Sequence, residues 1–125
     1  MSPAVPFHPA TMNVLFVTGD ADLRAAATRV LGAEGHEVAS AAHSGHALLA
    51  ALECERIDIL ISDVQLDGVT GEWVAAALRR YHPEMRALFM ADPGSAAGSG
   101  IIVRPFTRDD LLSEMDAIVT SPAAF

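Results

Sequence analysis

The stretch IDILISDVQLDGVTGEW, residues 57–73, decides the fold. Its first six residues, Ile57–Ser62, are apolar at nearly every position. A strand of that kind must be covered on both faces, as the inner strands of a parallel sheet are. It runs straight into Asp63, and helical periodicity resumes only at about Gly71, where Val74, Ala77 and Leu78 share one side up to the stop at Pro83. Asp63 therefore lies too far from that helix to cap it. A carboxylate that ends a buried strand without a local structural task is a candidate functional group.

Working outward, short apolar runs alternate with helix-period segments. Strands are expected at about Asn13–Thr18, Glu37–Ala41, Ile57–Ser62, Arg86–Ala91 and Gly100–Arg104. The first helix runs from about Asp20 to Ala33 and stops at Gly35. The second starts from Ser44 as N-cap and turns Ala47, Leu48, Ala51 and Leu52 to one side. The last starts at Thr107, with Asp110 three residues on in a capping-box arrangement, and buries Leu111, Leu112, Met115 and Ile118. This order predicts an α/β fold, a doubly wound five-stranded parallel sheet with right-handed crossovers. Only DPGSAAGSG, Asp92–Gly100, joins the fourth and fifth strands. A crossover with its helix needs at least about ten residues, so the helix there is expected to be shortened or absent. One face of these two strands should then lack cover. Leu88, Met90 and Ile102, or their neighbours on the opposite face, should be exposed or covered by a second copy or the N-terminal tail.

Composition narrows the function. Of 125 residues 51% are hydrophobic, enough for one domain with a real core. The basic residues number eight, all Arg, against sixteen acidic ones, and the net charge of −8 argues against a nucleic-acid partner. Cys54 is the lone cysteine, which excludes an internal disulfide and a zinc–thiolate site. It reads as an inert thiol at a helix end and fits a reducing, cytoplasmic setting. MSPAVPFHPATM lacks the charged start and apolar core of a signal peptide, and no stretch is long enough to span a membrane. Residues 1–12 read as a flexible tail, 13–119 as the domain and 120–125 as a second tail.

In an open parallel sheet, ligands sit outside the carboxyl ends of the strands, at the switch in strand order. The residues there are Thr18, Gly19 and Asp20 after the first strand and Asp63 after the third. Ala91 and Asp92 follow the fourth, and Arg104-Pro105-Phe106 the fifth.

DILISDVQLDGVTGEWVAAALRR, the RPF of 104–106 and the ADLR that opens the first helix together resemble response-regulator receiver domains over about Met12–Val119. The resemblance implies a flavodoxin-like sheet of order 2-1-3-4-5. It implies that Asp63 accepts a phosphoryl group from a histidine kinase or phosphotransfer protein, in a signalling domain rather than an enzyme. Gln65 falls where a backbone carbonyl helps bind Mg²⁺ and a side chain influences hydrolysis of the acyl phosphate. A cis peptide is implied before Pro105. The family's metal-holding acidic pair falls on Thr18 and Gly19, its switch hydroxyl on Ala91, its lysine on Arg104 and its switch aromatic on Ile101.

These departures set the charge of the site. Mg²⁺ takes oxygen ligands, usually with one or two carboxylates. Asp63 supplies one; Asp20 sits one residue beyond the motif and reads first as an N-cap. Mg²⁺ binding is therefore expected to be weak or absent, with a direct Asp63–Arg104 contact at about 2.7–3.2 Å. Two readings stay open: a phosphorylatable receiver, and a pseudo-receiver that binds partners without phosphate. A small enzyme on this scaffold is a third. An aspartyl phosphatase would want a second Asp at position 65, and an FMN site a Ser/Thr-rich loop in place of TGDADL. A homodimer through the face of the fourth and fifth strands is a further expectation. His43 and His46 form at most half a metal site and read as solvent-facing. His36 and Asp67 read as turn residues, and Trp73 and Tyr81 as a partly buried pair.

Overall fold

The computed structural model describes residues 11–95 and 98–120. The element order is β1 (Asn13–Val17), α1 (Ala21–Ala33), β2 (Glu37–Ala41), α2 (Ser44–Glu53), β3 (Ile59–Asp63), α3 (Gly71–Leu78), β4 (Arg86–Ala91), β5 (Ile101–Val103) and α4 (Arg108–Thr120). The strands form one parallel sheet in the order β2-β1-β3-β4-β5. The expected sheet is thus observed, with β3 at its centre and buried at every residue.

Side chains alternate across the sheet, so each face builds its own core. Val14, Phe16, Ile59, Ile61, Leu88, Met90 and Ile102 point to one side, under Ala27 and Leu31 of α1 and Leu111 and Met115 of α4. Leu15, Val17, Ala41 and Leu60 point to the other, under Ala47 and Ala51 of α2 and Val74, Ala75 and Leu78 of α3. The described residues from Asp92 to Gly100 form turns and one bridge, Gly98 to Ile101, so β4 and β5 follow each other without a described helix between them. The uncovered side is the opposite one to Leu88, Met90 and Ile102, which α4 buries to 5% exposure or less. Ala87, Phe89, Ile101 and Val103, on the α2–α3 side, remain half-buried.

Local chemistry sets the element ends. Asp20 caps α1, accepting from the Leu23 amide at 3.1 Å. The helix closes on Gly35 at φ +90°: the Gly35 amide donates to Gly32 O and the His36 amide to Leu31 O, the paired bonds of a Schellman motif. Thr107 and Asp110 exchange amide-to-side-chain bonds of 2.9 and 3.1 Å, the expected capping box of α4.

Four expectations need correction. The N-cap of α2 is His43, whose Nδ1 accepts from the His46 amide at 3.2 Å, and Ser44 is the first helical residue. An imidazole nitrogen one position earlier reaches the same orphan amide that a serine hydroxyl would. Leu52 is 61% exposed, because only Ala47 and Ala51 of α2 meet the sheet closely. Trp73 and Tyr81 are also exposed rather than partly buried, and among the described residues no helix between β4 and β5 flanks α3. Met12, assigned to the tail, packs in the core, and its amide donates to His36 Nδ1 at 3.1 Å. The rest of the proposed N-terminal tail, up to residue 10, and residues 121–125 lie outside the described residues.

Candidate functional site

Asp63 ends β3 with its side chain only 13% exposed, and both carboxylate oxygens are engaged. Arg104 NH1 donates to Oδ1 at 2.5 Å. Thr18 Oγ1 donates to Oδ2 at 2.8 Å. The second arm of the Arg104 fork, NH2, donates to Asp92 Oδ1 at 2.7 Å. The guanidinium is planar and always charged, and here its two terminal nitrogens serve two different carboxylates.

Backbone geometry brings these groups together. Parallel pairing sets Val17 beside Ser62 and Asp63 beside Met90, so the ends of β1, β3 and β4 lie side by side. The Arg104 amide donates to Ala91 O at 2.8 Å, which fixes Arg104 beyond β5 at the same edge. The Arg104–Pro105 peptide is cis, as expected. Thr18 is wholly buried: its amide donates to Ala41 O, and its hydroxyl accepts from the Asp20 amide at 3.2 Å while donating to Asp63. Arg24 NH1 reaches back from α1 to Thr18 O at 2.7 Å.

The loop after β3 is held against the same edge. Val64 donates to Met90 O, Leu66 to Val69 O, and the Gly71 amide to Val64 O at 2.8 Å. Gly71 approaches the strand so closely that a Cβ there would collide with the Asp63 carbonyl oxygen and the Phe89 ring. Gln65 is exposed, bridged to Thr70, with no hydrogen bond to Asp63 among the described residues.

The charges reinforce one another. Burial by itself lowers the Arg104 pKa, but the hydrogen bonds and charges of Asp92 and Asp63 outweigh it and hold the guanidinium above its usual range. Arg104 thus remains a fixed cation where the Asp63 carboxylate needs one.

The donor set does not fit Mg²⁺. The ion asks for near-octahedral oxygen ligands. Here both Asp63 oxygens already accept a hydrogen bond, Gly19 has no side chain, Ala91 has no hydroxyl, and one Asp20 oxygen serves the α1 cap. No group of three or more His, Cys, Asp or Glu among the described residues could hold a metal ion. His43 and His46 approach ring to ring at 5.9 Å, with His43 engaged as a helix cap. Cys54 is the C-cap of α2 and Asp67 an exposed loop residue beside Gly68 at φ +81°. No helix among the described residues is long and apolar enough to cross a membrane.

Sequence reasoning placed Thr18, Asp63, Ala91 and Arg104 at one edge, and the structure brings them together. It passed over Asp92 as a partner of Arg104, Arg24 as a brace for Thr18, and Gly71 as the close approach of α3. Asp92 was visible as the residue after the fourth strand, but only the fold reveals which cation it meets.

A buried-strand carboxylate gripped by a fixed cation at the switch in strand order defines a class: a doubly wound α/β domain with its candidate site outside the carboxyl ends of the strands. The family follows from comparison with known proteins. The model of the response regulator receiver domain matches residues 14–116, and the chain belongs to that family. The transcriptional regulatory protein TcrA of Mycobacterium tuberculosis (strain ATCC 25618 / H37Rv) is 28% identical over 116 residues, covering 86% of this chain and 46% of that relative. The chain thus spans less than half of its curated relative. Among solved structures, the chemotaxis protein CheY4 of Vibrio cholerae aligns with a TM-score of 0.76 at 25% identity, covering 87% of this chain and 99% of that one. The receiver domain of the hybrid histidine kinase CckA aligns with a TM-score of 0.72 at 30% identity, covering 84% and 96%. The chain is a receiver domain of the kind used in two-component systems.

Proposed function

We propose that Asp63 is the phosphoryl acceptor of this receiver, that a histidine kinase or phosphotransfer protein is the donor, and that the reaction leans on Arg104 rather than on Mg²⁺. The observation that carries this reading is the Arg104 guanidinium on one oxygen of a nearly buried Asp63 carboxylate. Phosphoryl transfer depends on positioning and on neutralising charge at the phosphoryl oxygens, and a guanidinium suits both tasks. In the reaction a carboxylate oxygen of Asp63 supplies the electron pair for the new O–P bond. The P–N bond of the donor phosphohistidine breaks, and its pair returns to the imidazole. The same contact stabilises the resting carboxylate, so the reaction is slow and only weakly magnesium-dependent. The domain relays a signal rather than turning over a substrate, and the cytoplasm is its setting. The half-covered β4–β5 face is our candidate for a homodimer contact.

Incubation with a small phosphoramidate donor, with and without Mg²⁺, tests the reading by intact mass. The expected result is one added phosphoryl group, little changed by Mg²⁺ and lost in Asp63→Ala. No added group with that donor or with a cognate kinase would instead make the domain a phosphate-independent interaction module. Strong Mg²⁺ dependence would overturn the role given to Arg104.

A further inference from the structure

We infer that Asp92 is a positioning residue that shares Arg104 with Asp63, and that its loss of the guanidinium carries the reaction at Asp63 to the β4–β5 turn. This inference rests on Asp63 being the acceptor. The two arms of Arg104 are divided between unequal anchors. Asp63 has a side chain 13% exposed, whereas the Asp92 side chain is 79% exposed. Ala91 has no hydroxyl, and the guanidinium of Arg104 meets the β4 end through the Asp92 side chain, beside the bond from the Arg104 amide to Ala91 O.

The resting cluster carries two carboxylates and one guanidinium. A phosphoryl group on Asp63 replaces one carboxylate charge with a dianion of about −2 that offers three strong acceptor oxygens. Guanidinium binds such a group through both arms at once. Its second arm then leaves the exposed Asp92, which the added negative charge also repels. Asp92 opens the turn that follows β4: the Ser95 amide donates to Asp92 O at 3.1 Å, and the Arg104 amide to Ala91 O at 2.8 Å. Releasing the Asp92 side chain therefore loosens the turn at Asp92–Ser95 and the link between the ends of β4 and β5. The reverse also holds: before reaction, Asp92 competes with the incoming phosphoryl group for one arm of the cation.

Amide hydrogen exchange resolved at Ser95 and Arg104 tests this, read beside intact mass on the same samples. Asp92→Ala without any phosphodonor is expected to speed exchange at these amides by about tenfold, the scale of a lost charge-assisted hydrogen bond. Asp92→Glu should keep the wild-type protection. In the wild type, phosphorylation should produce the same increase, and in Asp92→Ala it should add nothing further. Asp92→Ala should also gain its phosphoryl group faster than the wild type. Unchanged exchange in Asp92→Ala, or unchanged exchange in wild type shown by mass to be phosphorylated, would overturn the inference. A wild type that gains no phosphoryl group overturns the acceptor role and the coupling together, while the donor-free Asp92→Ala arm still decides whether Asp92 holds Arg104.

Discussion

The Thr18 hydroxyl does two jobs at one atom: it donates to Asp63 and accepts from the Asp20 amide. An acid at this buried position would face Asp63 as a like charge, and like carboxylates in one site repel unless a cation joins them. The double variant Thr18→Asp/Gly19→Asp, which restores the family's acidic pair, should therefore melt lower than wild type in chelator and recover with millimolar Mg²⁺. Wild type should respond little, and thermal melts with and without the ion compare the two. Gly71 shows a different single-atom constraint. A methyl group there meets the backbone of β3 itself, at the Asp63 carbonyl, which cannot rotate away as a side chain could. Gly71→Ala should cost about 1–3 kcal/mol, the usual penalty of overpacking, seen as a lower urea midpoint. A midpoint equal to wild type would show that α3 can shift without loss.

At the scale of elements, the short β4–β5 connection, with no helix among its described residues, is the main departure. α4 seals one side of β4 and β5 through Leu111 and Met115, but Ala87, Phe89, Ile101 and Val103 on the other stay half-buried. Trp73 at the neighbouring edge is exposed. A self-complementary two-fold contact would cover this strip on both copies at once. Sedimentation at high protein concentration should then show a dimer that Ile101→Glu disperses without unfolding the monomer. A wild type that sediments as a monomer at every concentration would rule the contact out. The shortness of this connection was legible beforehand, since the nine residues Asp92–Gly100 fall short of the roughly ten that a crossover with its helix takes. Which face would be left open was not legible, because that depends on where α4 returns against the sheet.

Across the whole molecule the acidic excess, −8 at neutral pH, leaves Arg104 enclosed by two of the chain's carboxylates. Despite its burial, Asp92 and Asp63 hold its pKa above the ordinary guanidinium value. A group raised in the folded state stabilises fully below its unfolded pKa, and the gain is lost only as pH climbs through the folded value. The stability difference between wild type and Arg104→Gln should therefore stay flat from about pH 6 to about pH 10, where neither arginine nor ordinary carboxylates titrate. Urea midpoints of both proteins across that range check it, and a difference that shrinks with pH would contradict a fixed cation. The linear pattern of apolar runs, caps and stops by itself determined the strands, the helices, the sheet class and the edge where the site lies. Those follow from periodicity and local hydrogen bonding, which neighbouring residues decide among themselves. The sharing of Arg104 between Asp63 and Asp92, the hydroxyl bond of Thr18, the tight seat of Gly71 and the identity of the bare face were decided only by the tertiary structure, although a contact of Arg104 with Asp63 was expected from the sequence. They join residues from separate strands, and no spacing along the chain encodes the few ångströms that separate one carboxylate from another around a shared cation.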